Sequence, residues 1–385
     1  MSRWFDSVGR PGREVMALHS TWEHPRLITA GLMSTPVALL VVDQLLVPSI
    51  RLGPLMVGVP ALAAVFCPPL GVVGVIAITI PCMVLAAAGN LALGTANFWV
   101  QLTALMLICV GAVGASWIRE RREDELARTR AVAEVTQRVL LKPLPPSIGD
   151  LSLASVYLAA NEDAAVGGDL YAVADVGGRV RILIGDAHGK GLAAVETASY
   201  VLSAFRRSVR QRGPLHAMVT DLDEDFREDL RDAAAAQPDT ANASLALEEF
   251  VTAVVLEVPE KGDGLAFMIN FGHPPPLLID HGQVTVLDPR SCAPPLGLGD
   301  LDSAHPHVET VDFPPGATLL LYTDGVIEAR NRAGDFYPLA NRLPGWARLE
   351  PEALLSAIHS DLRRYVGRGL SDDVTMVALH RTRPS

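Results

Sequence analysis

Residues 179–191 read RVRILIGDAHGKG. An apolar, β-branched run ends in Gly185-Asp186 and passes at once into small and turn-forming residues. This is the pattern of a strand that carries a carboxylate to the edge of a sheet before the backbone turns away. In two other stretches, LLLYTDGVIEA around Asp324 and LSDDVTMVAL around Asp372, an aspartate is likewise read as ending or closely following an apolar run. Carboxylates gathered at one sheet edge make the all-oxygen site that hard divalent cations prefer. A fourth, Asp169 in AVGGDLYAV, is expected to join them from a turn whose paired glycines let backbone approach a ligand.

The surrounding sequence alternates short β-rich runs with turns: LSLASVYLAA, FVTAVVLEV, LAFMINF, VTVLD, ATLLLYTD and VTMVALHR. Helical patterns interrupt them only at 189–212, 214–236 and near 351–364. Strands bunched together with few helices predict an α+β fold of packed antiparallel sheets flanked by helices, not alternating βαβ winding.

In this order the motifs GGDLY, GDAHGKGL, EEFVTAVVLEV, NFGHPPPLL, PPLGLG, LYTDGVIEA and DDVTMVAL resemble the SpoIIE-like branch of the PPM (metal-dependent, type 2C-like) serine/threonine protein phosphatases, over residues 138–381. The resemblance implies a β-sandwich between helix layers with two Mn²⁺ or Mg²⁺ ions at one end. It assigns Asp186 and the backbone carbonyl of Ala187 to a bridging position between the ions, and Asp324 and Asp372 to the first ion. Asp169 holds a coordinated water or the second ion. The implied chemistry is in-line attack on phosphorus by a water that the ions activate, without a phosphoenzyme.

His188 stands where eukaryotic-type relatives carry a general acid for the leaving alcohol. Asp373, beside Asp372, is read as orienting the ligand, because adjacent strand residues face opposite ways. His273 in GHPPP is read as bracing a turn. Ala172 departs from the acidic residue frequent at its place in the family, which puts the affinity of the second metal site in question. The implied substrate is phosphoserine or phosphothreonine on a regulatory protein, such as an anti-sigma factor antagonist. The alternative is a catalytically weak membrane receptor or scaffold that binds a phosphoprotein.

The first third is of another kind. The mean hydropathy of the 385-residue chain is +0.27, and between positions 27 and 117 Asp43 and Arg51 are the only charged residues. Apolar segments at 27–50, 53–66, 69–88 and 98–118 suggest about four membrane crossings, 53–66 being short enough to suit a tilted or re-entrant segment. Arginines flank the first span and follow the last, at Arg119, Arg121 and Arg122. Both flanks are therefore expected in the cytoplasm of a multi-pass cell-membrane protein, which requires an even number of crossings. No removable signal peptide is expected at the N-terminus. Asp43 within a span is a functional candidate unless the interface solvates it.

The expected organisation is a cytoplasmic segment 1–26, a transmembrane domain 27–118, a helical linker 119–146 and a phosphatase domain 147–385. Val132, Val135 and Val139 form a short apolar stripe on the linker, suited to packing against a second copy in a homodimer. The net charge of −11 and a pI near 5.4, with no basic patch, argue against a nucleic-acid partner. The four cysteines show no metal-ligand or CxxC spacing and read as small buried side chains.

Overall fold

The computed structural model describes residues 25–45, 52–160, 167–236, 249–260, 264–299, 306–367 and 370–383. Most of the expected N-terminal cytoplasmic segment, residues 1–24, lies outside them. The chain divides into two compact units, Met1–Ala127 and Arg128–Ser385.

The first unit is helical: α1 (Pro25–Leu45), α2 (Gly53–Met56), α3 (Val59–Phe66), α4 (Pro69–Gly89) and the first part of α5 (Ala96–Leu140). By length and composition α1, α4 and α5 are each able to cross a membrane. The short apolar segment is two helices, broken between Met56 and Val59. Side-chain contacts fix where its ends lie. At one end Asp43, near the C-terminus of α1, accepts hydrogen bonds from the Leu52 amide (2.6 Å) and Asn90 Nδ2 (2.8 Å). At the other, Arg119 donates to the carbonyls of Ala64 (2.6 Å), Val65 (2.5 Å) and Cys67 (2.6 Å), and Ser116 Oγ donates to the Cys67 carbonyl (3.2 Å). A cation at the open carbonyls of a helix C-terminus is favourable.

Thr29, at the start of α1, lies near Gly71 at this same end, and Gln44, at the far end of α1, lies against Gly89. The 53–66 segment therefore leads from the Asp43 end of the bundle back to the Arg119 end. The start of α1 and Arg119 share one end of this unit. Asp43, 5% exposed, has a structural account: its carboxylate ties α1 to the start of α2 and the end of α4.

The second unit holds two antiparallel sheets. One has strand order β1 (Ser147–Ile148), β2 (Leu151–Leu158), β11 (Val374–Arg381), β10 (Thr318–Tyr322), β7 (Leu277–Asp280), β8 (Gln283–Val286). The other runs β3 (Asp169–Asp175), β4 (Arg179–Ala187), β5 (Val251–Pro259), β6 (Leu265–Phe271), β9 (Glu309–Asp312). Alternation along β10 shows why its sequence is apolar throughout. Leu319 and Leu321 enter the core between the sheets, while Leu320 and Tyr322 pack with Leu354, Ile358 and Leu362 of the helix Pro351–Val366.

On the far side, α6 (Leu192–Ser208) and α7 (Leu215–Ala236) cover β3 and β4 with Leu202, Phe205, Leu222 and Phe226, all buried. The layers are helix, sheet, sheet, helix, the sandwich expected from the sequence. A buried Arg181–Glu257 pair (2.7 Å) and Arg381, which donates to the Phe313 (3.0 Å) and Pro259 (2.8 Å) carbonyls, fasten the end of the sandwich remote from Asp186.

Candidate functional site

The register of β3 on β4 places Asp169 directly opposite Asp186. Asp169 is the first residue of a strand rather than part of a turn, a difference from the sequence reading. The strand escaped notice because only its first three residues are buried and its outer half is partly exposed. The glycines before it do provide a close approach: a Cβ on Gly168 would lie 2.6 Å from both the Cβ and the carbonyl oxygen of Ala187.

The second sheet brings its carboxylates to the same place from two strand ends. Asp324 opens the helical turn Asp324–Ile327 just after β10. Asp372 precedes β11 instead of closing an apolar run. Because β11 is antiparallel to β10, with Tyr322 opposite Met376, the beginning of one strand lies beside the end of the other. The sheets are joined here by Thr323, whose hydroxyl donates to Asp169 Oδ2 (2.9 Å) and accepts from the Thr375 amide (2.9 Å).

Asp373, 2% exposed and, like Asp372, placed just before β11, organises the approach to the cluster through its hydrogen bonds, not through strand alternation. Its carboxylate accepts from the Ala160 amide (2.8 Å), the Gly167 amide (3.0 Å) and the Tyr157 hydroxyl (2.6 Å). The Asp373 amide in turn donates to Asp372 Oδ1 (2.9 Å). Ala172 lies three residues along β3 from Asp169, hence on the opposite face of the sheet. The alanine therefore removes no oxygen from the Asp169 side.

Burial dominates the electrostatics, and mutual repulsion adds to it. Burial, reinforced by Asp324 and Asp372, pushes the Asp186 carboxyl up to about 7. Burial and then the charge of Asp186 hold Asp169 well above the usual carboxylate range. Asp324 is raised by burial first, then by Glu328 and Asp372. Lys190, exposed, pulls Asp186 the other way. Like charges directly opposite on neighbouring strands are destabilising unless something compensates them. A set of hard oxygen donors with excess negative charge fits Mg²⁺ or Mn²⁺. Among the described residues no three Asp, Glu, His or Cys side chains stand close enough to hold an ion alone. Waters and backbone carbonyls such as that of Ala187 would complete the shells.

His188 is exposed at the lip of the site and stacks on Phe250 (centroids 4.5 Å, 10° between planes), its amide donating to the Phe250 carbonyl (2.9 Å). His273 is buried and braces its turn: its amide donates to Asn270 Oδ1 (2.8 Å), and Asn270 Nδ2 donates to its carbonyl (2.9 Å). Burial drives its imidazole down to about 3, so it is neutral at physiological pH. Thr323, Tyr157, Lys190 and Gln137 escaped the sequence reading. Gln137 sits in the last turns of α5 and donates through Nε2 to the Asp169 carbonyl (3.2 Å).

This sandwich, with carboxylates meeting where strand ends of both sheets converge, is the PP2C-type phosphatase fold. Residues 176–382 match the family described as Stage II sporulation protein E (SpoIIE), and the chain belongs to that family. The GGDLY motif lies just upstream of the matched span. Among solved structures, the RsbU and RsbW domains of Rv1364c from Mycobacterium tuberculosis are 26% identical with a TM-score of 0.50. That match covers 63% of this chain and 62% of that one, so the chain spans a little under two thirds of that relative. The SiaA-PP2C domain of Pseudomonas aeruginosa is 18% identical with a TM-score of 0.51, over 68% of this chain and 98% of that domain, and shares the fold.

Proposed function

We propose that the protein is a membrane-anchored, metal-dependent protein serine/threonine phosphatase whose catalytic unit faces the cytoplasm. The observation that carries this reading is the cross-strand pair Asp169–Asp186, a buried and a half-buried carboxylate held face to face beside Asp324 and Asp372. In this reading Asp169, Asp186, Asp324, Asp372 and the Ala187 carbonyl hold two Mn²⁺ or Mg²⁺ ions. When bound, the ions supply an activated water and neutralise phosphoryl charge. The protein's own part is to fix the carboxylates through Thr323 and Asp373, and to offer the His188 imidazole, flat on Phe250, as proton donor to the leaving seryl oxygen.

The apolar helical bundle, with the start of α1 and Arg119 at one end, supports insertion in the cell membrane by an even number of crossings with both flanks cytoplasmic. The substrate class is a phosphoserine or phosphothreonine regulatory protein, in keeping with the family and with an anti-sigma factor antagonist. The deciding assay is phosphate release from a phosphoserine peptide by the full chain in detergent. Release should require Mn²⁺ or Mg²⁺, vanish with chelator and vanish in Asp324→Asn. In His188→Ala it should fall roughly 10²-fold on the peptide but much less on p-nitrophenyl phosphate, whose leaving group needs no proton. Metal-bound, folded protein that binds the phosphopeptide without releasing phosphate would support the receptor or scaffold reading instead.

A homodimer through α5 is part of the proposal. Val132, Val135 and Val139 are 58%, 64% and 71% exposed, an apolar stripe that a second copy would cover. In a Cys292→Ser background, since Cys292 is itself exposed, Val135→Cys is expected to form an oxidised dimer at protein concentrations where Arg348→Cys gives none. Equal, slow crosslinking at both positions would dismiss the dimer.

A further inference from the structure

The Asp43 end of the first unit encloses a cavity of about 100 Å³. It lies where α1 and α4 end and α2 and α5 begin, at the polar end of an otherwise apolar bundle. Its walls are of two kinds. Met83 and Phe98, both buried, are apolar, while Asp43, Asn90 and Gln101 bring polar groups. Asp43 is the group that calls for a ligand. Its two oxygens take one neutral donor each, from the Leu52 amide and Asn90 Nδ2. A carboxylate offers about four lone-pair sites, and these two bonds bring no positive charge to it. Among the described residues no Lys, Arg or His forms an ion pair with Asp43. Arg51, the only other charged residue between positions 27 and 117, lies outside them. A charge set 5% exposed into such a wall is costly until something compensates it. Gln101 supplies a second acceptor: its amide has no hydrogen-bond partner among the described residues, and Oε1 stands 3.7 Å from where a Cβ on Gly53 would lie, facing the start of α2.

We propose that this cavity binds a small organic cation, a primary ammonium on a short hydrocarbon chain. The ammonium sits against Asp43 and Gln101 Oε1, and the chain lies between Met83 and Phe98. Three N–H donors meet the unclaimed lone pairs of the carboxylate and the amide oxygen, and the ring of Phe98 adds attraction for the charge. A bare divalent metal ion would want about six oxygens around it, whereas half of these walls is hydrocarbon. An anion is repelled by Asp43, and a neutral solute leaves its charge uncompensated. At about 15 Å³ for each water the space holds roughly seven, which suits a solute of about four to six non-hydrogen atoms and is too small for a peptide. In the orientation proposed above, the Asp43 end faces away from the cytoplasm. The same ammonium chemistry is carried by free amines and by ethanolamine lipid head groups, and the test separates the two.

That test uses the full chain in phosphatidylcholine nanodiscs, which leave both faces open, with propylammonium chloride titrated by calorimetry. Propylammonium is expected to bind saturably with a Kd of about 1 mM or tighter, and propan-1-ol not to bind. Asp43→Asn keeps an acceptor for its neighbours and removes the charge, so the Kd should rise at least roughly tenfold. Ala87→Leu, which fills the cavity and leaves the carboxylate in place, should raise it as much, and it decides alone should Asp43→Asn fail to fold. Nanodiscs that contain phosphatidylethanolamine name the source. An unchanged Kd for propylammonium there points to a free amine, and a raised one to a competing head group. A wild-type chain that binds no propylammonium overturns the inference and leaves Asp43 as a tie between helices. Sodium chloride that binds as tightly overturns it in favour of an inorganic ion. Binding seen only in Arg51→Gln overturns it too, because the chain's own cation then fills the cavity. None of these readouts involves phosphate release, so they stand or fall apart from the phosphatase reading.

Discussion

Replacing Asp186 by asparagine is expected to abolish Mn²⁺-dependent phosphate release and, in the same protein, to raise the melting temperature of the metal-free chain. The two effects have one cause. Asp186 is held opposite Asp169 and near Asp324 and Asp372 with its carboxyl pushed up to about 7, by burial first and by those charges second. In the unfolded chain it titrates near the ordinary carboxylate value of about 3.9. Between these values the folded state binds the extra proton, so stability falls as pH rises from about 4 to about 7 and the penalty is complete above that. Asparagine fills the same space without the charge.

At pH 8 the metal-free variant should gain on the order of a few kcal/mol, and at pH 4 almost nothing. Mn²⁺ should reverse the order of stability. It stabilises the wild type by about 2.7 kcal/mol at a hundred times its Kd, and the variant hardly at all. Activity should drop by about three orders of magnitude. Melting curves at both pH values, with and without Mn²⁺, read every arm. A variant that is less stable than wild type at pH 8 without metal would show that the carboxylate cluster is not self-repelling, and the metal reading would lose its physical basis.

The parts of this site that could be read from the chain are those where chemistry and local pattern coincide. Asp186, Asp324 and Asp372 stand at the borders of apolar runs, and strand borders are where a sandwich exposes side chains at its rim. Asp169 was visible as a residue but not as the start of β3, because what defines that strand is its ladder with β4, a partner chosen by tertiary pairing. The charge pair follows from register alone: one residue of slip would have turned Asp169 to the other face.

Gln137 and Tyr157 carried no signal at all. A glutamine in a charged helix and a tyrosine in an apolar strand are unremarkable until the fold sets them beside Asp373, 216 positions from Tyr157 in the chain. The linker shows the same limit. Hydrophobicity singles out Val132, Val135 and Val139, whereas the face that packs on the catalytic unit is Ala133 and Gln137, since close approach to α6 needs a small residue and the Asp169 carbonyl needs a donor. In the first unit, composition marks the spans, but only Arg119 and Asp43 reveal that the short segment between them runs from one end of the bundle to the other.

Gly325→Ala is expected to do more damage than the loss of any one carboxylate. A Cβ at this position would overlap the carbonyl oxygen of Asp373, a backbone atom that no rotamer change can remove. Neither side of the clash has room to give. Asp373 is pinned by Tyr157, Ala160 and Gly167, and the chain around Gly325 by the Thr323 amide donating to the Thr375 carbonyl (3.0 Å) and by Val326, which is fully buried. The methyl group must therefore prise the turn that carries Asp324 away from the start of β11, moving Asp324 and Asp372 apart and opening the ladder between β10 and β11. The cost should exceed about 3 kcal/mol, in the range reached by overpacking a rigid contact. Gly345→Ala is the matched control, since a Cβ there meets nothing within 4 Å and the change should stay within about 1 kcal/mol of neutral. Urea midpoints of the two variants give the comparison directly. Gly325→Ala protein that unfolds at the wild-type midpoint and still takes up Mn²⁺ would mean that the strand ends are not packed backbone against backbone, and that Asp324 and Asp372 are placed by something other than this contact.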